Sequence, residues 1–121
     1  MSDLQALGEQ FANFYYDTYK TNRANLAGLY RPSSMMTYQG SQCMGPEQIM
    51  ERISQLSFQT INFNLADKLV QPTVNNGCIL MCSGQLQCDQ DQPLSFTQIF
   101  VLMQDAQGWY IHNEFFNLIL G

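Results

Sequence analysis

Charge is what this sequence has least of: only 12% of its 121 residues are Asp, Glu, Lys or Arg. The basic residues are Lys20, Arg23, Arg31, Arg52 and Lys68, and none follows residue 68. Proteins that bind nucleic acid neutralise phosphates with clustered Lys and Arg. A net charge of −5 with so few bases therefore excludes nucleic acid as a partner. Histidine is almost missing, and the single His112 lies among apolar strand neighbours with no Ser, Cys or paired acid at a motif spacing. It reads as a structural residue, not as a triad member or metal ligand. The four cysteines, Cys43, Cys78, Cys82 and Cys88, form no CxxC pair, so the usual zinc spacing is absent. Positions 78 and 82 of one strand would stand about 13 Å apart, too far for a mutual bridge, and free thiols in a reducing compartment are expected. No G-x-G-x-x-G, P-loop or nucleophile elbow occurs, which removes direct nucleotide binding and acyl transfer. The start Met1-Ser2-Asp3-Leu4 lacks a basic n-region and long apolar run, and no stretch is long enough to span a bilayer. The expectation is a protein of cytoplasm and nucleus, without membrane, metal or cofactor.

What is present is apolar: 45% hydrophobic residues, enough for one packed domain over residues 1–121. Ser2-x-x-Gln5 reads as a capping box, followed by Leu4, Leu7, Phe11, Phe14 or Tyr15, and Tyr19 at helical spacing, which predicts a helix near 3–20. Asn22 is placed to cap a short second helix carrying Leu26, Leu29 and Tyr30, stopped by Arg31-Pro32. Met35–Tyr38 and Ser41–Met44 flank Gln39-Gly40 as a hairpin. Gly45-Pro46-Glu47 opens a third helix with Ile49, Met50, Ile53 and Leu56 as its stripe. From Phe58 the period becomes two, and strand-like runs follow at 61–65, 78–88, 96–103 and 109–118, with turns at 72–77, 89–93 and 105–108. The fold class is α+β: three N-terminal helices on a strongly bent, mainly antiparallel sheet.

One strand is apolar on both faces. Phe96, Phe100 and Leu102 take one side, while Ile99, Val101 and Met103 take the other. One core uses one face only, so the second face, with Met81 of the preceding strand, predicts a homodimer through the sheet. Asp89-x-Asp91 places two carboxylates about 6–7 Å apart if the segment is extended, able to clamp an ammonium. Acids in an Asp-Gln-Asp-Gln-Pro turn also simply solvate loops. Phe115 and Phe116 belong to the densest aromatic cluster, with Trp109 and Tyr110, and as strand neighbours they face opposite ways.

Five segments carry a resemblance: Phe14-Tyr15-Tyr16, Leu26-x-x-Leu29-Tyr30, Leu56-Ser57-Phe58-Gln59, Gly84-Gln85-Leu86 and Asn113-Glu114-Phe115-Phe116. Their order and spacing resemble the nuclear transport factor 2 family over nearly the whole chain, most strongly from Gly84 to Phe100. The resemblance implies a cone-shaped carrier that binds the GDP form of the small GTPase Ran. It encloses a switch-region phenylalanine in a cavity while acids at the rim meet flanking bases. On this chain the implied Ran-binding positions are Tyr38, Gln39, Leu56, Ile61, Asp89, Asp91, Leu94, Phe115 and Phe116. The implied site for the phenylalanine-glycine repeats of nucleoporins is Leu4 with Leu7. Two positions depart from the animal pattern: Tyr38-Gln39 replaces a Trp-Glu pair, and Leu4 replaces a large aromatic. Two alternatives keep the fold and change the task. One is an isomerase- or dehydratase-type enzyme using Tyr16 or Tyr38 with Glu114 or Asp91. The other is an adaptor subunit in RNA export, with a heterodimer in place of the homodimer.

Overall fold

The computed structural model describes residues 2–55 and 58–119, apart from the side chain of Ser2. Leu56 lies outside the described residues. Helix α1 (Ser2–Thr21) comes first, then a 3-10 helix (Arg23–Leu29), β1 (Tyr30–Tyr38), β2 (Ser41–Met44) and α2 (Gly45–Ser54). Four long strands complete the chain: β3 (Ile61–Thr73), β4 (Gly77–Cys88), β5 (Leu94–Asp105) and β6 (Gly108–Ile119). They form one mixed, open sheet in the order β2-β1-β6-β5-β4-β3. Every neighbouring pair is antiparallel except β1 with β6, which brings the early part of the chain against its last strand.

The local reasons are those of the sequence, with three corrections. Helix α1 buries Ala12, Tyr15, Tyr16 and Tyr19 on one stripe, as the spacing requires. Gln5 ties it to β3 by donating from Nε2 to the Lys68 carbonyl at 3.0 Å. Helix α2 starts at Gly45, whose φ of +84° suits glycine, with Pro46 and Glu47 in the first turn and Ile49 and Ile53 buried. The second helix is a 3-10 helix, and the Asn22 side chain makes no capping bond. Tyr30 belongs to β1 and not to that helix, because Pro32 holds the chain extended and the Tyr30 ring is wanted in the core. β3 runs on to Thr73, so Pro72 is in an edge strand, where its missing N–H costs no ladder bond. The β3–β4 turn is made by Asn75 and Asn76, both at positive φ.

The core lies between the helices and one face of the sheet, centred on Phe96, Phe100, Leu80, Leu102 and Ile111. Phe100 meets Tyr15 and Phe11 edge-on, at 4.8 and 5.4 Å between ring centroids. Full burial of each phenylalanine stabilises by about 1.5–3 kcal/mol. Register shifts between Leu65 and Asp67 in β3, and between Val101 and Leu102 in the β5–β6 pair, bend the sheet over the helices. Gly84 sits opposite the first of these shifts, where a Cβ would collide with the Asn64 carbonyl and the Leu65 Cα. Gly84→Ala is therefore expected to lower stability by about 1–3 kcal/mol, since backbone on both sides must move. Urea unfolding measures this, and an unchanged midpoint would show that the bulge yields freely.

Candidate functional site

Where α1 and the loop after α2 lean over β3 to β6, a cavity of about 260 Å³ remains. Its wall is largely aromatic. Tyr19 comes from α1, Phe58 from the loop and Phe63 from β3, while Tyr38 and Phe116 come from the paired strands β1 and β6. Tyr38 and Phe116 are register partners and stack 4.7 Å apart with planes 10° from parallel. Phe116 stacks in turn on Phe96 at 5.7 Å. An apolar cavity of about 150 Å³ already admits benzene, so this one has room for an aromatic side chain.

The floor of the cavity is polar and fully engaged. Glu114, 2% exposed, takes a hydrogen bond from Tyr30 on one oxygen at 2.7 Å. Its other oxygen accepts from Tyr15 at 3.0 Å and from Gln98 Nε2 at 2.7 Å. The Gln98 amide oxygen then accepts from the Tyr16 hydroxyl at 2.7 Å. Burial pushes the Glu114 carboxyl above its ordinary range, and the three hydrogen bonds oppose that only in part. The same burial drives the Tyr15 and Tyr30 hydroxyls well up, with the Glu114 charge adding to it.

The mouth carries Asp89, Asp91 and Leu94. Asp89 does not lie in an extended segment as expected: its φ is +53° and it turns the chain out of β4. Its Oδ1 accepts from the backbone N–H of Thr60 at 2.9 Å and of Gln59 at 3.0 Å, which holds the carboxyl below the usual carboxylate range. Asp89 thus fastens the loop that carries Phe58 as well as supplying charge. Asp91 is exposed, and among the described residues its carboxylate makes no hydrogen bond.

Of the residues singled out from the sequence, Tyr38, Ile61, Asp89, Asp91, Leu94 and Phe116 share this cavity. Two do not. Phe115 is 49% exposed on the opposite face of the sheet, because strand neighbours alternate and Phe116 has taken the inner position. Gln39 sits at the hairpin tip with φ +52°, and its Oε1 accepts from the Leu118 N–H at 2.6 Å. It braces the hairpin against β6 and leaves the cavity wall to Tyr38. The acid-rich C-terminal half also shrinks as a surface feature: Glu114 is buried, and Asp105 is paired with Arg31 at 2.7 Å. Sequence reasoning missed the cavity positions Tyr19, Phe58 and Phe63, which periodicity assigned to the core.

On the outer face, cross-strand register aligns Leu69, Met81, Ile99 and Phe115 in one row. Ile79 and Val101 form the next, and Met103 pairs with Tyr110. Met81, Ile99, Val101 and Met103 are half-buried there, away from the helices. Leu4 packs partly against the core, and Leu7 is half-buried on the same helix. His112 lies in β6 beside Asn113, 2.5 Å from its amide oxygen. All four cysteines are free, and burial pushes Cys82 up to about 11.

Residues 7–118 match the profile of the nuclear transport factor 2 (NTF2) domain. The chain belongs to the nuclear transport factor 2 family. It is 42% identical over 120 residues to nuclear transport factor 2 of Neurospora crassa, covering 98% of this chain and 97% of that one. With the Saccharomyces cerevisiae factor it shares 36% over 118 residues, covering 96% and 94%. The solved structure of the Cryptosporidium parvum factor superimposes with a TM-score of 0.92 at 38% identity, over 96% of this chain and 94% of that one. Membership makes this chain a carrier in nucleocytoplasmic transport and not an enzyme. No helix among the described residues is long and apolar enough to cross a membrane.

The buried carboxyl gives this family member a signed pH dependence. A folded-state pKa above the unfolded value of about 4.3 means that Glu114 favours folding when protonated and withdraws that contribution as pH rises through the folded pKa. Glu114→Gln abolishes the titration. The unfolding free energy of the variant should therefore improve relative to wild type between pH 4 and pH 7, as measured by urea unfolding across that range. A constant difference would show that the carboxyl has its ordinary pKa in the fold.

Proposed function

We propose that this carrier binds the GDP form of Ran by enclosing one aromatic side chain of the GTPase switch region in the cavity. The observation that carries this reading is the combination at one opening: an aromatic-lined hole sized for a ring, with two carboxylates at its edge. Burying an aromatic there contributes about 1.5–3 kcal/mol, and the acids select a basic neighbour. Nucleotide selectivity follows without any contact to the nucleotide, because GDP and GTP hold the switch in different conformations. Phenylalanine-glycine repeats of nucleoporins would pack on Leu4 and Leu7, concentrating the carrier at the nuclear pore as it moves between cytoplasm and nucleus. Aliphatic Leu4 forgoes the ring–ring attraction of about 0.5–1.5 kcal/mol that an aromatic would add.

An enzymatic use of the same cavity needs a group free to take a proton. Both oxygens of Glu114 are already occupied by donors, which argues for a structural acid. The working unit is a homodimer of the single domain 1–121, formed by apposing the outer faces around Met81, Ile99, Val101 and Met103, with Phe115 at the end of one row. An adaptor role with a different partner chain would use that same face.

Two measurements decide these readings. Immobilised protein should retain Ran loaded with GDP and pass Ran loaded with a GTP analogue. Asp91→Lys should weaken retention by about tenfold or more, through like-charge repulsion, while the fold is unaffected. Asp91 is the cleaner test because Asp89 also holds the Phe58 loop. Equal retention of both nucleotide forms would sink the carrier reading, and undiminished binding by Asp91→Lys would return that acid to loop solvation. In sedimentation, the wild type should run at the dimer mass and Ile99→Glu at the monomer mass. A wild-type monomer at micromolar concentration contradicts the sheet-to-sheet dimer.

A further inference from the structure

One wall of the cavity belongs to a stack of rings that crosses the sheet. Phe96 of β5, Phe116 of β6 and Tyr38 of β1 lie face to face, with centroids 5.7 Å apart between the first two and 4.7 Å between the last two. β6 stands between β5 and β1, so Phe116 is covered on both faces. The remaining face of Tyr38 turns toward β2, where Ser41 is its register partner. Arg52 of α2 covers that face, with its Cζ 5.2 Å from the Tyr38 ring centroid. Arg52 stands outside the cavity, in a separate surface groove with Ser41 and Cys43 of β2 and Glu51 of α2. Among the described residues it forms no ion pair, and its Nε–H is buried without an acceptor. The ring is the contact that explains its place. Tyr38 has use for such a clamp, because it ends β1 immediately before the hairpin turn at Gln39 and is only half-buried.

A cation over an aromatic face is held by the ring quadrupole, and a face so occupied is closed to a second ring. We infer that Arg52 is a positioning residue for the cavity: from outside, its guanidinium caps Tyr38 and holds that ring parallel to Phe116. With the faces of both rings taken, this wall offers an entering aromatic chiefly ring edges. Edges carry the positive end of the quadrupole and pair with the face of another ring. The switch-region aromatic is then received face-on against the edges of Tyr38 and Phe116, and a flat stack on Tyr38 is refused. This deepens the Ran reading and rests on it. The charge of Arg52 acts on the ring, so it matters to binding only through Tyr38.

The test is a double-mutant cycle with affinity for Ran-GDP read by titration calorimetry, using Arg52→Met, Tyr38→Leu and the two combined. Methionine keeps an unbranched stem and removes the cation. Arg52→Met is expected to weaken binding about three- to tenfold in the wild-type background, and by less than about twofold beside Tyr38→Leu. Arg52→Lys restores a cation and should lie closer to wild type than to Arg52→Met. A second readout needs no partner: with isotope-labelled tyrosine, the Tyr38 ring resonance should move in Arg52→Met while those of Tyr15 and Tyr30 stay in place. An equal loss in both backgrounds overturns the inference, since Arg52 would then act independently of the ring. Wild-type affinity in Arg52→Met, a lysine no better than methionine, or an unmoved Tyr38 resonance overturns it as well, and each leaves the Ran reading intact. Failure of the wild type to bind Ran-GDP sinks the parent reading, and the Tyr38 resonance alone then decides whether Arg52 holds the ring.

Discussion

A single carboxylate in the core sets the geometry on which both faces of this protein depend. Glu114 gathers donors from α1, β1 and β5 while standing in β6, so four elements distant in sequence are fixed to one point. Burying a charge is costly, and breaking such an arrangement by removing one partner is costlier than never having built it. The strand pair it secures, β1 with β6, is parallel and joins residues near 36 to residues near 114, so no tight turn could set its register. The hydrogen bonds from Tyr15 and Tyr30 do so instead. Once Glu114 points inward, the alternation of a strand leaves no freedom: Phe116 points inward to stack on Tyr38, and Phe115 points outward beside Ile99. The cavity wall and the outer apolar row are two results of one parity.

That parity was the part of the site hardest to read from the sequence. Helix spacing, the Gln39-Gly40 hairpin and the change to a period of two around Phe58 were legible, because each depends on local sterics and on one buried face. In β6, however, two adjacent phenylalanines make both parities equally apolar, and a glutamate ordinarily argues for facing water. The partners that make an inward Glu114 acceptable lie 16 to 99 residues away, at Gln98, Tyr30 and Tyr15, where no local pattern shows them. For the same reason Tyr30 looked like the end of a helix and proved to be a core tyrosine whose hydroxyl is needed by Glu114. The acids at the mouth were legible as a pair, but the left-handed turn at Asp89 was not. An Asp accepts that conformation because its own carboxylate can hold nearby backbone N–H groups, here those of Gln59 and Thr60.

Scarcity of charge sharpens the functional reading. With so few ionic groups, those with structural tasks can be set apart: Arg31 and Asp105 pin β1 to the end of β5, Glu114 anchors the core, and Asp89 holds the Phe58 loop. At the cavity this leaves Asp91, whose carboxylate makes no hydrogen bond among the described residues. Its oxygens are not consumed by the fold, and holding that charge beside an apolar opening without a partner brings the isolated chain no stability. Such groups make sense where a partner completes them. An aromatic-lined hole alone would accept any exposed ring. With acids at its edge it favours a ring presented with a base beside them, because an inserted segment that brings an acid there meets like charge. Recognition of one partner conformation, which the proposed function requires, draws on that directionality more than on the depth of the cavity.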